Sequence, residues 1–532
     1  MTWSAQFEAD LQAQTLAPVF VLHILKWAGT PGRQFYAASS GDYGYPEIIG
    51  SEVSIGGSSV TPVGWRYTHG TCSIQIVGDS ITDLAKAANR GSIAVLKMGF
   101  PGYSLAELQP VFTGRVNTIL GRGPTWTLEL WDGTSLLASR LLIGYTASYR
   151  SNEMNLFANV GDSTTLTSPY APGDTVLNLT DASIMEEASI SGMYGAVYVD
   201  PAGGSLGADP FFLTYDGKIG NQLQNVTTSD VLGTTRAGVG VGATIISNAV
   251  YLRGTPAEIF LRLLVSGSGT SSAYDVYPDS WGYGLPFDLV DWADCIGTLL
   301  AMQDRLGTGN TYEIVFAQNE QVTDSWTWLL DWFTKLGLVP VQRHGLITLR
   351  PVQDPSDPAV SSEKTITDMD IETVDEWIAY SPDVPAEYVQ ARTIITQAVS
   401  PFAMTARLTT MANPQTVPVA DRLTYDNSDK FASFPTQVAT ELRDRLGPWG
   451  TGRSASSTGS GLPEQVTITC SGLRLAGLSV LDVVQVTTDE IRGGRLASTV
   501  DGWDAQPCMV LKCSPDFAAG RVTLTLAAID PL

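Results

Sequence analysis

The chain has 532 residues, 44% of them hydrophobic and 16% charged, and 31 Lys and Arg against 54 Asp and Glu give a formal charge of −23. That length exceeds what one hydrophobic core organises, so three or four domains are expected, and the composition excludes a disordered chain. The acidic balance excludes tight nucleic-acid binding by counterion release and gives no polybasic signal for an anionic membrane.

Abundant Gly and Pro, 52 and 29 residues, together with Thr, Ser and Val, predict β-structure with many turns. The five cysteines, Cys72, Cys295, Cys470, Cys508 and Cys513, are odd in number and sparse, so no disulfide framework is implied. The first twenty residues carry acids and lack a basic segment before an apolar run, which argues against a secretory signal. No apolar run reaches membrane-spanning length. The expectation is a chain that folds in a reducing cytosol.

Residues 1–145 are expected to form a β-domain. PVFVLHILKW, from residue 18, and VFTGRVNTI (111–119) predict strands, as do the alternating CSIQIVG (72–78) and WTLELWDG (126–133). SITDLAKAANRG (80–91) predicts the one helix among them. Residues 146–252 predict a β-rich insert, with a Pro-Gly turn and strand in APGDTVLNLTDA (171–182) and a Gly-rich, then β-branched run in VLGTTRAGVGVGATI (231–245).

Residues 253–365 predict an α+β unit. TPAEIFLRLLVSG has Thr255 as N-cap, Pro256 at N1 and Glu258 at N3, with Ile259, Phe260, Leu263 and Leu264 as its apolar stripe. DLVDWADCIGTLLAMQDRLG (288–307) predicts further helix. In DSWTWLLDWFTKLGLVPVQRHGLITLRPV (324–352), Asp324 caps a helix over 324–336, and Trp326, Leu329, Leu330, Phe333 and Leu336 share one face. Gly337 stops the helix and 338–350 form a hairpin turning at RHG. The stripe predicts a core rather than a ligand platform. Trp328 and Trp332 fall on a different side, suited to an intra-protein or subunit contact. Residues 366–532 return to β, with strands at 464–470, 482–488, 508–514 and 521–529 and a flexible loop at 447–463.

Candidate chemistry is sparse. His23, His69 and His344 are not paired at metal spacing, and Cys508 and Cys513 are expected on opposite faces of a strand, which disfavours chelation. GGSLG (203–207) matches GxSxG but lacks the strand-to-helix context of a nucleophile elbow, and GVGVG (238–242) lacks the helix of a dinucleotide site. The sequons at Asn178 and Asn225 have no meaning without secretion. Asp275, Asp279, Asp288, Asp291 and Asp294 could supply a glycosidase pair, although such clusters arise by chance in an acidic chain. No catalytic, cofactor-binding or metal-binding residue is therefore predicted, no cofactor is expected, and the chain is not expected to be an enzyme.

The order of elements resembles a family. VFTGRVNTI…WTLELWDG resembles the first β-domain of tail-tip proteins of tailed bacteriophages, and TSPYAPGDTVLNLTDAS with DVLGTTRAGVGVGATI resembles a β-insert of such proteins. PAEIFLRLLVSGSGTSSAYDVYPDSWGYGLPFDLVD is similar to the middle of baseplate hub proteins. The unit 324–352 and the final LSVLDVVQVTT…RVTLTLAAI complete the pattern, with Leu481-Asp482 standing where many relatives have Gly-Asp. The resemblance implies a siphophage-like tail hub, or its counterpart in a gene-transfer agent. It implies that 1–145 and 366–532 are β-barrel hub domains, mainly β overall, in a homotrimer that closes the tail tube and carries the central fibre or spike. Expected partners are the distal tail protein, the tape-measure protein and the fibre or spike, in a virion assembled in the host cytoplasm. No stable nucleic-acid binding and no membrane anchoring are expected, although DNA passes through the lumen, whose wall is expected to be net negative. A distal tail or glycan-binding tail-tip protein is the alternative, and a tail-associated cell-wall hydrolase a further one.

Overall fold

Strict alternation of apolar and polar residues builds the first sheet. In Thr71–Val77, Cys72, Ile74 and Ile76 are buried while Ser73 and Gln75 are less so. The computed structural model describes residues 3–13, 17–24, 35–40, 47–62, 64–78, 92–139, 163–171, 173–183, 185, 195–200, 211–215, 217–226, 238–247, 252–265, 314–316, 325–378, 390–396, 404–410, 424–432, 464–491 and 502–529, with scattered residues at 285–298 and 441–449.

Seven antiparallel strands run in the order Phe35–Ala38, Val19–Ile24, Ile93–Gly99, Gln109–Arg122, Thr125–Asp132, Thr71–Val77, Ile48–Gly56. A register shift between Ile48 and Val53 bends the last of these. Its start comes back beside the first strands: Ser39 Oγ accepts the Phe20 N–H at 2.8 Å, and a Cβ on Gly50 would lie 3.6 Å from that of Ser39. The sheet is thus a nearly closed barrel. The short helix Ala5–Ala13 lays Phe7 and Leu11 onto the same core, with Trp3 just ahead of it.

The second barrel runs Lys364–Thr367, Val483–Thr488, Trp503–Asp516, Arg521–Ala528, Glu464–Ser471, Ile371–Ile378. Its two end strands are neighbours in sequence, separated by a turn in which Asp370 N–H bonds to Thr367 O at 2.8 Å. One bent segment therefore supplies both ends of the strand order, which rolls the sheet upon itself and leaves less open edge. The four strands expected after 460 are all present. Leu481 takes φ 69°, the left-handed conformation that glycine tolerates best.

The face assignment of the two late cysteines is corrected. A bulge between Val510 and Lys512 leaves Leu511 extra in the register, which reverses the alternation beyond it. Cys508, Val510 and Cys513 consequently face one core, and Met509 and Leu511 face another. Among the described residues no group of His, Cys, Asp and Glu is placed to hold a metal ion.

The insert has two small sheets, one joining Ser163–Thr165, Thr244–Ser247, Gly195–Asp200 and Phe211–Tyr215, the other Val176–Asn178, Gln222–Gln224 and Gly217–Ile219. They enclose a separate core around Leu166, Leu177, Tyr215 and Ile245. A further five-stranded sheet joins Leu252–Gly254 and Ile314–Phe316 to Thr424–Ala432, Gln390–Thr396 and Met404–Thr410. The helix Pro256–Val265 starts after Thr255, as its capping residues predict, and its stripe is buried. Leu261 is buried too, so the helix lies inside the middle core rather than on its surface. Residues 293–295 and 297–298 are helical, in line with the expected helix there; the helix expected at 80–91 lies outside the described residues. No described helix is long and apolar enough to cross a membrane.

The two barrels share one continuous cluster of buried side chains, in which Phe20 of the first meets Phe517 of the second edge-on at 6.1 Å. Gly57 N–H also donates to Ser514 Oγ at 3.1 Å.

Candidate functional site

The stretch 325–351 is where both barrels and the middle core meet. Its helix spans Ser325–Thr334, and Trp326, Leu329, Leu330, Phe333 and Leu336 are buried, so the core reading of the stripe holds. Phe333 meets Phe260 edge-on at 5.3 Å. The expected second side is corrected: Trp332 is buried in the same core, and Trp328 is partly buried and stacks on it at 6.5 Å. The helix is packed by the turn Gly133–Ser139, the strand Arg66–Thr68 and the following hairpin, so its buried arc is wider than one stripe. Asp324 lies outside the described residues.

The hairpin pairs Leu338–Arg343 with Leu346–Pro351, one residue beyond expectation. His344 and Gly345 take φ 48° and 79°, the two positive angles of a type I′ turn. This tip wedges between the barrels. His344 Nε2 lies 2.8 Å from Gly477 O and its ring lies tilted against Trp3, with centroids 5.3 Å apart. Gln342 donates to Thr113 O at 2.7 Å and accepts from Gly133 N–H.

Three polar groupings fix this wedge. In the first, Asp132, 2% exposed, accepts from Tyr67 Oη at 2.7 Å and from Gly70 N–H at 2.6 Å. His69 Nδ1 lies 2.6 Å from Thr134 Oγ1 and 3.3 Å from Asp132, and its ring packs on Trp326 at 4.9 Å. Burial, and then the Asp132 charge, push the Tyr67 phenol well up, so it stays a donor. Beside this group lies a cavity of about 80 Å³ bounded by Trp3, Tyr67, Asp132, His344 and Ser479.

In the second, Arg343 and Arg350 on the hairpin face Asp294, Glu363 and Asp482. Asp482 is buried and also accepts from Ser479 N–H at 2.7 Å, which ties the second barrel to the hairpin. The opposing carboxylates outweigh burial and raise the Arg350 guanidinium above its ordinary value, although burial itself lowers it. In the third, Arg445 is wholly buried. It pairs with Glu441 and donates to Gly337 O, Val352 O and Leu336 O, the last at 2.9 Å. Gly337, at φ 63°, serves twice, since a Cβ there would stand 2.9 Å from Arg445 Nη1.

These placements bear on the candidate residues. Asp291 accepts from Asp294 N–H at 3.2 Å, Cys295 N–H bonds to Asp291 O at 3.1 Å, and Asp294 is engaged by Thr348 and both arginines. Those two carboxylates thus act in a turn and an ion-pair network. Asp275, Asp279, Asp288 and GGSLG lie outside the described residues. GVGVG forms an irregular turn and bridge, as its missing helix predicts. His23 sits in a central strand opposite Tyr36 and Val95. Sequence reasoning passed over Glu441, Arg445 and Trp449. Their spacing of four was the available signal, but an Arg in a helical pattern reads as solvent-facing by default.

All five cysteines are buried and unpaired by disulfides. Burial pushes every thiol up, those of Cys295 and Cys470 to about 12. A pKa raised on folding means that stability is intact below the unfolded value near 9 and declines as pH rises toward 12. The expected result is no reaction with an aromatic disulfide reagent at neutral pH in the native state, and a denaturation midpoint that falls across that alkaline window. Rapid native labelling would contradict the burial.

No known family profile matches this chain, and no curated protein sequence matches it. Among solved structures, 96% of the chain aligns with 97% of the 43 kDa tail protein of prophage MuSo2 from Shewanella oneidensis, at TM-score 0.37 and 10% identity. An equal share aligns with 94% of a prophage tail protein from Listeria monocytogenes, at TM-score 0.35 and 8% identity. A chain in the virion of a native gene transfer agent is matched over 46% of this chain and 84% of its own, at TM-score 0.19 and 15% identity.

Proposed function

We propose that this chain is a structural protein of a tailed-phage or gene-transfer particle, and that it forms the tail-tip hub. The observation that carries the reading is a pair of barrel-like sheets, one early and one late in the chain, held together by a common core and a helix–hairpin wedge. Such a chain is a rigid two-barrel block. Three blocks around an axis would present six barrels to a sixfold tail tube. In this reading the first barrel and the second, built from 364–378 and 464–528, form the ring; the middle unit, whose sheet also takes in the strands between 390 and 432, braces it; and 146–252 is an accessory insert. The hub closes the tube, meets the distal tail and tape-measure proteins, and carries the central fibre or spike. Its partners are proteins, with no membrane anchor and no cofactor. Duplex DNA would slide past a lumen of net negative charge rather than bind it.

The test is a reconstruction of the particle in which this gene carries a compact tag. Three tagged copies at the tail tip are expected. Six copies around the axis would favour a distal tail protein, and an untagged tip would remove the structural role. Clearing of host cell wall in a zymogram by the purified chain would instead favour the hydrolase.

A further inference from the structure

The hairpin of Ser59–Thr61 and Arg66–Thr68 lies within the first barrel in sequence but pairs with none of its strands. Among the described residues its one ladder contact outside itself is Ser59 opposite Lys512 of the second barrel. At its turn Trp65 takes φ 51°, a left-handed conformation that is costly for a bulky side chain. The indole is fully buried in the middle core, edge-on to Trp449 at 5.1 Å. Its Nε1–H is buried with no hydrogen-bond acceptor among the described residues. One residue thus sets the burial of the largest side chain against backbone strain and an unmet donor.

The adjacent strand contrasts with this. Thr71–Val77 is bonded on both sides, by Ile48–Gly56 and by Thr125–Asp132, and cannot leave without tearing the barrel. To leave, the hairpin withdraws Val60, Trp65 and Tyr67 from the middle core and gives up the edge-on contact of Tyr67 with Trp326, the Tyr67 bond to Asp132, a long bond from Gln342 N–H to Tyr67 Oη and the ladder contact at Ser59, but no strand of either barrel. Tyr67 also walls the cavity at the junction.

We propose that this hairpin is a releasable strap. It opens as a unit while both barrels stay folded, and it takes one wall, Tyr67, away from the pocket beside Asp132. This does not depend on the tail-hub reading.

Hydrogen exchange read by mass spectrometry on the whole chain tests it. Peptides over 59–68 should exchange through an opening that leaves 71–77 and 338–351 protected. Gly64 stands at φ 69° with nothing within 4 Å of an added Cβ, so Gly64→Ala strains the docked backbone without a clash. It should favour the opening by about five- to thirtyfold. The strap is overturned if 59–68 exchanges only together with 71–77, or if Gly64→Ala leaves the opening unchanged.

Discussion

Replacing Arg445 by leucine is expected to cost about 3–5 kcal/mol of folding stability, the usual price of removing one partner of a buried ion pair. The change leaves Glu441, 5% exposed, as an uncompensated charge, and strips donors from the carbonyls of Leu336, Gly337 and Val352. Urea denaturation followed by fluorescence measures the loss. A double replacement with Glu441→Leu separates the two causes. It removes the stranded charge but does not restore the donor lost by the carbonyls of Leu336 and Val352, Gly337 O keeping the Val352 N–H at 2.9 Å, so it should recover part of the loss. Full recovery would show that the carbonyls find other donors, and a single replacement costing under about 1 kcal/mol would show that water reaches the pair.

Phe333→Ala is the second large effect, expected at about 3–5 kcal/mol for truncating a core phenylalanine. The ring is wholly buried between Phe260 and Trp332. The site is walled by two helices and the hairpin, so it cannot collapse easily and the upper part of that range is expected. A fall in the urea midpoint with an unchanged slope would report lost packing alone. A fall in slope as well would mean that the middle core unfolds apart from the barrels. An effect below about 1 kcal/mol would remove the helix–hairpin unit from its central place in the fold.

Period-two strands were the legible part of this protein, because one face of each packs on a core and the other does not. Glu464–Ser471 shows the rule at its simplest, with Val466, Ile468 and Cys470 buried and Gln465, Thr467 and Thr469 less so. The helix at Pro256 was equally plain from its cap. What failed did so for local physical reasons. The bulge at Leu511 reversed the faces of one strand, and no local pattern marks such an insertion. Trp332 was misplaced because a stripe predicts one buried face, whereas several elements close around this helix. The junction itself was illegible. Tyr67, Asp132, Gln342 and Asp482 are ordinary polar residues in sequence, and their meaning comes from partners more than sixty positions away.

The bond from Gly57 to Ser514 joins residues 457 positions apart. A ribosome working at about 5–20 residues per second needs on the order of half a minute to a minute and a half to cover that interval. For most of that time the first barrel has been made while the strand it will rest on does not yet exist. Trp503–Asp516 then arrives late and supplies three things together: the strand on which Arg521–Ala528 closes the second barrel, the edge for Ser59, and the partition between two cores. The nascent chain therefore holds an unfinished apolar surface for most of its synthesis. Chaperone occupancy of the newly made chain should persist until this strand has left the ribosome, and fall sharply afterwards.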